Sequence, residues 1–176
     1  DGNRIISVTS VPPTEFHGDV LDARGGYLIP GRYDLHIHFG VNGSPRGGPT
    51  AISERRNLDI MASAGIAGFL DLTGALEDQR FSFRARINSG ALSGPTAFEA
   101  GRITVPLGHG TEVGATREVT SPDEAVREII KLFTIRRPDV LKIAYSPYSN
   151  FVPSIYRDTL TASLATPTQI APTSLI

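Results

Sequence analysis

From Gly31 onward, short apolar runs alternate with segments of helical period, and this alternation limits the folds open to the chain. Strand and helix in turn imply βα units around a parallel sheet, because a parallel pair needs a crossover connection and the crossover helices then cover the strands. Four units can be read. The first has a strand near Tyr33 to Phe39, a glycine- and proline-rich loop from Gly40 to Pro49, and a helix near Ser53 to Ala64. The second pairs a strand at Gly68 to Leu72 with a weaker helix at Gln79 to Ser89. The third opens on a thin strand at Thr96 to Ala100 and continues through a long glycine-containing loop to a helix starting at Ser121. A fourth strand follows at Val140 to Ala144. Ahead of Gly31, the stretches Arg4 to Val8, Val20-Leu21 and Tyr27 to Ile29, broken by turn residues, predict small antiparallel strands.

The strongest local signal is Ser121-Pro-Asp-Glu124, a capping box with proline in the first helical position. Ala125, Val126, Ile129, Ile130 and Phe133 then recur at helical spacing, and Arg136-Arg137 before Pro138 suits a carboxyl end. This helix is scaffold. Arg80, Arg84 and Arg86 on the preceding helix read as a solvated face, with anion recognition as the rarer alternative.

His36 and His38 stand one residue apart on the first strand and therefore point to one side, with Asp34, while Leu35, Ile37 and Phe39 point to the other. Such a pair suits a metal ion, although a bare His-x-His is more often two exposed or hydrogen-bonded histidines at a strand end. On the fourth strand Lys142 shares a face with Val140 and Ala144, opposite Leu141 and Ile143. An ammonium placed inside a barrel costs several kcal/mol or shifts toward neutrality. The ordinary alternative is a lysine whose stem lies on the sheet while its head reaches solvent. His17, between Phe16 and Gly18, reads as a turn histidine, and Asp71, ending the second strand, as structural or supporting.

Pro30, Gly31, Asp34, Leu35, His36, Ile37 and His38 match in order and spacing the first barrel strand of the metal-dependent amidohydrolase superfamily, which this chain resembles. Ala62 to Gly74 resembles its second unit. Gly101 to Gly110 and Asp139 to Ile143 resemble the third and fourth units of the branch containing imidazolonepropionase-like enzymes and Xaa-Pro dipeptidases. The resemblance implies an α/β fold: about the first four βα units of a partial (β/α)8 TIM barrel over residues 32–165, preceded by part of a small β-sandwich over residues 1–31. It also implies divalent ions, zinc foremost and two per complete site, held in part by His36, His38 and a carbamate formed from carbon dioxide on Lys142. His109, in the loop after the third strand, becomes a candidate substrate contact. The implied activity is hydrolysis of carbon–nitrogen bonds, of amide, lactam or peptide type, by a metal-activated hydroxide. The family's later histidines and its catalytic aspartate have no counterpart here. A whole barrel of this kind takes about 250 residues, so the chain reads as half of one, a fragment or truncated product, with residues 166–176 as an uncharged tail outside the pattern.

Composition adds exclusions. A net charge of -1 gives no bias toward nucleic acid or anionic membranes, no apolar run is long enough to span a bilayer, and the absence of cysteine excludes thiolate ligands. The expected setting is soluble and cytoplasmic, and the expected partner a small-molecule substrate. Half a barrel would leave strand edges open, which favours homo-oligomers or completion by a missing carboxyl-terminal half. Two other classes stay open: a non-catalytic binding or assembly module, and an inactive, degenerate amidohydrolase fragment.

Overall fold

In the computed structural model the described residues are 4–11, 15–39, 51–72, 77–109, 111, 117–145 and 153–170, without the side chains of 51–53 and 167–170. The chain divides into two units, Asp1–Pro30 and Gly31–Ile176. In the first, the described residues form turns and extended stretches but no strand, and Ile5, Val8, Leu21, Tyr27 and Leu28 are exposed. The small strands expected there are not formed by these residues. A strand of this length is held by the ladder to its neighbour, and the described residues of this segment form none.

The second unit has the element order β1 (Arg32–Ile37), α1 (Ala51–Ser63), β2 (Ile66–Asp71), α2 (Glu77–Asn88), β3 (Thr96–Thr104), β4 (Arg117–Glu118), α3 (Pro122–Ile135), β5 (Val140–Ile143) and α4 (Arg157–Ile170). All pairings are parallel: β1 with β2, β2 with β3, and β3 with both β4 and β5. The result is an α/β unit with one five-stranded parallel sheet and four helices, an arrangement compatible with part of a barrel. Expected boundaries move by a few residues. The largest differences are β3, which runs on to Thr104, the two-residue β4, and α4, which extends past Ala165 to Ile170. Residues 171–176 of the expected tail lie outside the described residues.

Strand parity explains how the layers pack. Phe69 and Ala97 join Leu58 of α1 and Phe83 and Ile87 of α2 in one buried cluster. Ile103 joins Ala125 and Ile129 of α3 in a second, against which Leu141 and Ile143 pack. The alternate residues, Arg102 and Lys142 among them, lie on the opposite face of the sheet. Gly101 belongs to the helix face, where a Cβ would meet Leu132 Cγ at 2.8 Å and Pro138 Cγ at 3.1 Å, so the close approach of β3 to α3 requires glycine.

The capping box forms, with a shift. The Ser121 hydroxyl accepts from the Glu124 amide at 3.3 Å. The Glu124 carboxylate reaches one residue further back than the motif implies, accepting from both the amide and the hydroxyl of Thr120 at 2.7 Å. Those bonds, the side-chain one foremost, hold its carboxyl below the usual carboxylate range.

Candidate active site

β1 positions the histidine pair. Its apolar residues Ile37 and Phe39 are drawn into the first core cluster, which turns His36 and His38 to the other side. The two rings lie 5.2 Å apart, centroid to centroid, in an edge-to-face arrangement, and both residues are exposed. Asp34 accepts from the His36 amide at 3.1 Å, and a register shift between Asp34 and Ile37 breaks the expected alternation: Asp34 pairs with the core residue Phe69, and Leu35, expected on the core side, is 64% exposed. A hollow of about 240 Å³ opens beside Asp34 and His38, walled by Phe39, Asn57 and Met61. The larger hollow, about 980 Å³ between the amino ends of α3 and α4, contains none of the candidate residues.

Lys142 is on β5, and β2 and β3 separate it from β1. Three strand spacings amount to roughly 14 Å across a flat sheet, so the histidines and the lysine share a face without forming one cluster. Among the described residues no three histidines or carboxylates come together as a metal-holding group. The neighbour of Lys142 is Arg102, its direct register partner on β3. Burial first, and the Arg102 charge second, push the Lys142 ammonium below its ordinary value. Arg102 in turn donates to the His109 carbonyl, which ties the loop after β3 to the same face, while His109 itself is exposed. His17 is exposed as well.

The arginines of α2 correct the expectation of a solvated face. Arg80 is only 3% exposed and donates to Glu99 at 2.9 Å and to the Ala100 carbonyl at 3.1 Å. Arg84 binds Asp139 at 2.7 Å and the carbonyls of Arg137 and Arg136 at the end of α3, and Arg86 pairs with Glu54 at 3.2 Å. The helix uses its guanidinium groups to bind the sheet and its neighbours, because each buried β3 or α3 acceptor needs a donor. Glu99 was missed by sequence reasoning. It lies on the helix face of β3 in register with Asp71, which is buried as a structural carboxylate. Burial, then the Asp71 charge, push the Glu99 carboxyl up to about 8 against the pull of Arg80 and Arg84. A glutamate between Phe98 and Ala100, with arginines on the preceding helix, was the available signal.

No family model and no curated protein matches the chain by sequence. Its fold is similar to solved structures. The crystal structure of A. niger ochratoxinase matches with a TM-score of 0.62 at 18% identity, over 80% of this chain and 40% of that one. A protein assigned as a prolidase from Bifidobacterium longum matches with a TM-score of 0.59 at 20% identity, over 80% of this chain and 33% of that one. The chain therefore spans less than half the length of either neighbour. The likeness is one of fold. No described helix is long and apolar enough to cross a membrane.

Proposed function

We propose that the chain carries the amino-terminal part of a divalent-metal-dependent hydrolase that cleaves carbon–nitrogen bonds of amide, lactam or peptide type. The observation that supports this reading most directly is the pairing of His36 and His38, whose rings meet on one exposed face of β1. Two imidazoles from one strand face are a suitable nitrogen donor set for zinc or a similar ion. They are an incomplete set by themselves, since a catalytic site of this kind takes at least three protein ligands.

His36 and His38 would hold the ion, and Lys142, as a carbamate, would add oxygen ligands only where curvature of the sheet brings β5 toward β1. A bound divalent ion would supply an acidified water and a polarised substrate carbonyl. The chain's own residues orient the donors. Asp34 fixes the His36 backbone, Ile37 and Phe39 anchor β1 in the core, and the 105–109 loop, held through Arg102, borders the face where a substrate would lie.

Zinc titration of the intact chain, followed by calorimetry and elemental analysis, tests the reading. Uptake that His36→Ala abolishes supports it, and a folded chain that takes up no zinc refutes it. Hydrolysis of proline dipeptides, N-acyl amino acids and cyclic ureides is then assayed on the loaded chain.

A second reading, an assembly module completed by another chain, is favoured by one specific observation. β1 ends the sheet path, and Tyr33 and Leu35 on it are 57% and 64% exposed. A strand that ends the described sheet path and exposes apolar side chains invites pairing.

A further inference from the structure

Asp71 and Glu99 are the last pair of the β2–β3 ladder, direct register partners on neighbouring parallel strands. They share the parity of Phe69 and Ala97, so both side chains enter the helix-covered layer, where the residues are 1% and 0% exposed. Adjacent strands stand roughly 4.8 Å apart, and two carboxylates brought that close away from water cannot both ionise cheaply. The Glu99 carboxyl is also only half satisfied. Its Oε2 accepts from Arg80 Nη1 at 2.9 Å, while its buried Oε1 has no hydrogen-bond partner among the described residues. The backbone beneath it is clamped, since the Glu99 amide donates to Asp139 Oδ2 at 2.8 Å and the Asp139 amide donates to the Glu99 carbonyl at 2.9 Å. A buried acceptor without a donor carries its full desolvation cost. A proton on Oε1 removes that cost by turning the acceptor into a donor that faces a carboxylate in register.

We propose that Glu99 is a carboxylic acid whose Oε1–H donates to the Asp71 carboxylate, and that this shared proton is a pH-sensitive latch pinning the carboxyl end of β2 to β3. A carboxylate accepts about four hydrogen bonds, so Asp71 takes this donor beside its other contacts. Glu99 is faced by Asp71 from β2, by Arg80 and Arg84 from α2, and by Asp139 ahead of β5. Burial first, then the Asp71 charge, raise its carboxyl to about 8 against the two arginines, so the latch is closed below that value and opens above it. Opening is an acid–base step alone, in which the proton leaves Oε1 for solvent. Two like charges then stand opposite one another in the ladder, which destabilises the strand pair. Leu72, the residue after Asp71, donates its amide to the Ile37 carbonyl at 2.9 Å, so the strand end that the latch holds is also bonded to β1.

Carbon NMR of the intact chain, labelled with carbon-13 at its carboxyl groups, tests this from about pH 6 to about pH 9, with hydrogen exchange of the Leu72 amide followed on the same samples. The Glu99 carboxyl is expected to titrate inside that window, and the Asp71 carboxyl carbon to respond at the same midpoint. Leu72 protection, corrected for the intrinsic exchange rate, should fall roughly tenfold as the proton is lost, the equivalent of one pKa unit of linkage. Glu99→Gln keeps a donor on the side chain and Asp71→Asn removes the like charge, so each should make Leu72 protection independent of pH. A Glu99 carboxyl already ionised at the lower limit, an Asp71 carbon that does not follow it, or an undiminished decline in Glu99→Gln overturns the proposal. Where a variant fails to fold, the two carboxyl titrations of the unmodified chain give the answer: a common midpoint supports the shared proton, and separate midpoints overturn it.

Discussion

Glu99 carries an unusual burden for one residue. Its carboxyl is fully buried, Oε2 receives Arg80, and Oε1 has no hydrogen-bond partner among the described residues. Asp71 in register and Asp139 nearby add negative charge that Arg80 and Arg84 only partly offset. A carboxyl whose folded value is raised binds its proton more tightly in the native state, so its contribution to stability is complete below the unfolded value of 4.5 and is lost as pH rises through about 8. The chain should therefore lose stability between those limits, and Glu99→Gln should flatten the decline, as thermal melts across the pH range would record. Arg80→Met has a different effect. It strands a buried carboxylate and should cost about 3–5 kcal/mol by chemical denaturation at alkaline pH, with a smaller loss under acid conditions. Neither residue announced its partner in the sequence. Arginine spacing on a helix is the same whether the face meets water or a buried carboxylate, and only the register of β3 against α2 decides.

Among the elements, those with a local cause were legible and those with a tertiary cause were not. The start of α3 follows from Ser121, Pro122 and Glu124 alone, and Ser121→Ala should cost about 1 kcal/mol in thermal unfolding. β1 could be read as a strand, but the irregularity between Asp34 and Ile37, which leaves Leu35 exposed, could not, because it arises from the register with β2. β4 is two residues long and exists only because Arg117 and Glu118 meet the end of β3. Arg117 also joins Glu77 of α2 and Glu128 of α3, at 2.8 Å and 2.6 Å. Burial would raise the Glu77 carboxyl, but Arg117 and Arg136 outweigh it and hold it below the usual range. The strands predicted before Gly31 are not formed by the described residues of that segment. Gly101→Ala tests the approach of β3 to α3. The added methyl should cost about 1–3 kcal/mol in denaturant unfolding through displacement of Leu132, while Gly90→Ala, in open space but at positive φ, tests strain without crowding.

At the scale of the second unit, four βα units build a parallel sheet whose helix-covered face is a core and whose other face carries Arg102 and Lys142, three strands from the β1 histidines. The sheet accounts for the likeness in fold to larger proteins, and β2 and β3 separate the histidines from Lys142. Leu35, 64% exposed on β1, should make the chain self-associate as concentration rises, which sedimentation velocity would detect and Leu35→Lys should reduce. The central claim is that the histidine pair is a metal site. Its most direct test is a zinc titration of the intact chain beside the His36→Ala/His38→Ala double variant, with circular dichroism to verify folding. The account predicts saturable binding by the unmodified chain and none by the variant. Equal uptake by the two folded proteins would contradict it.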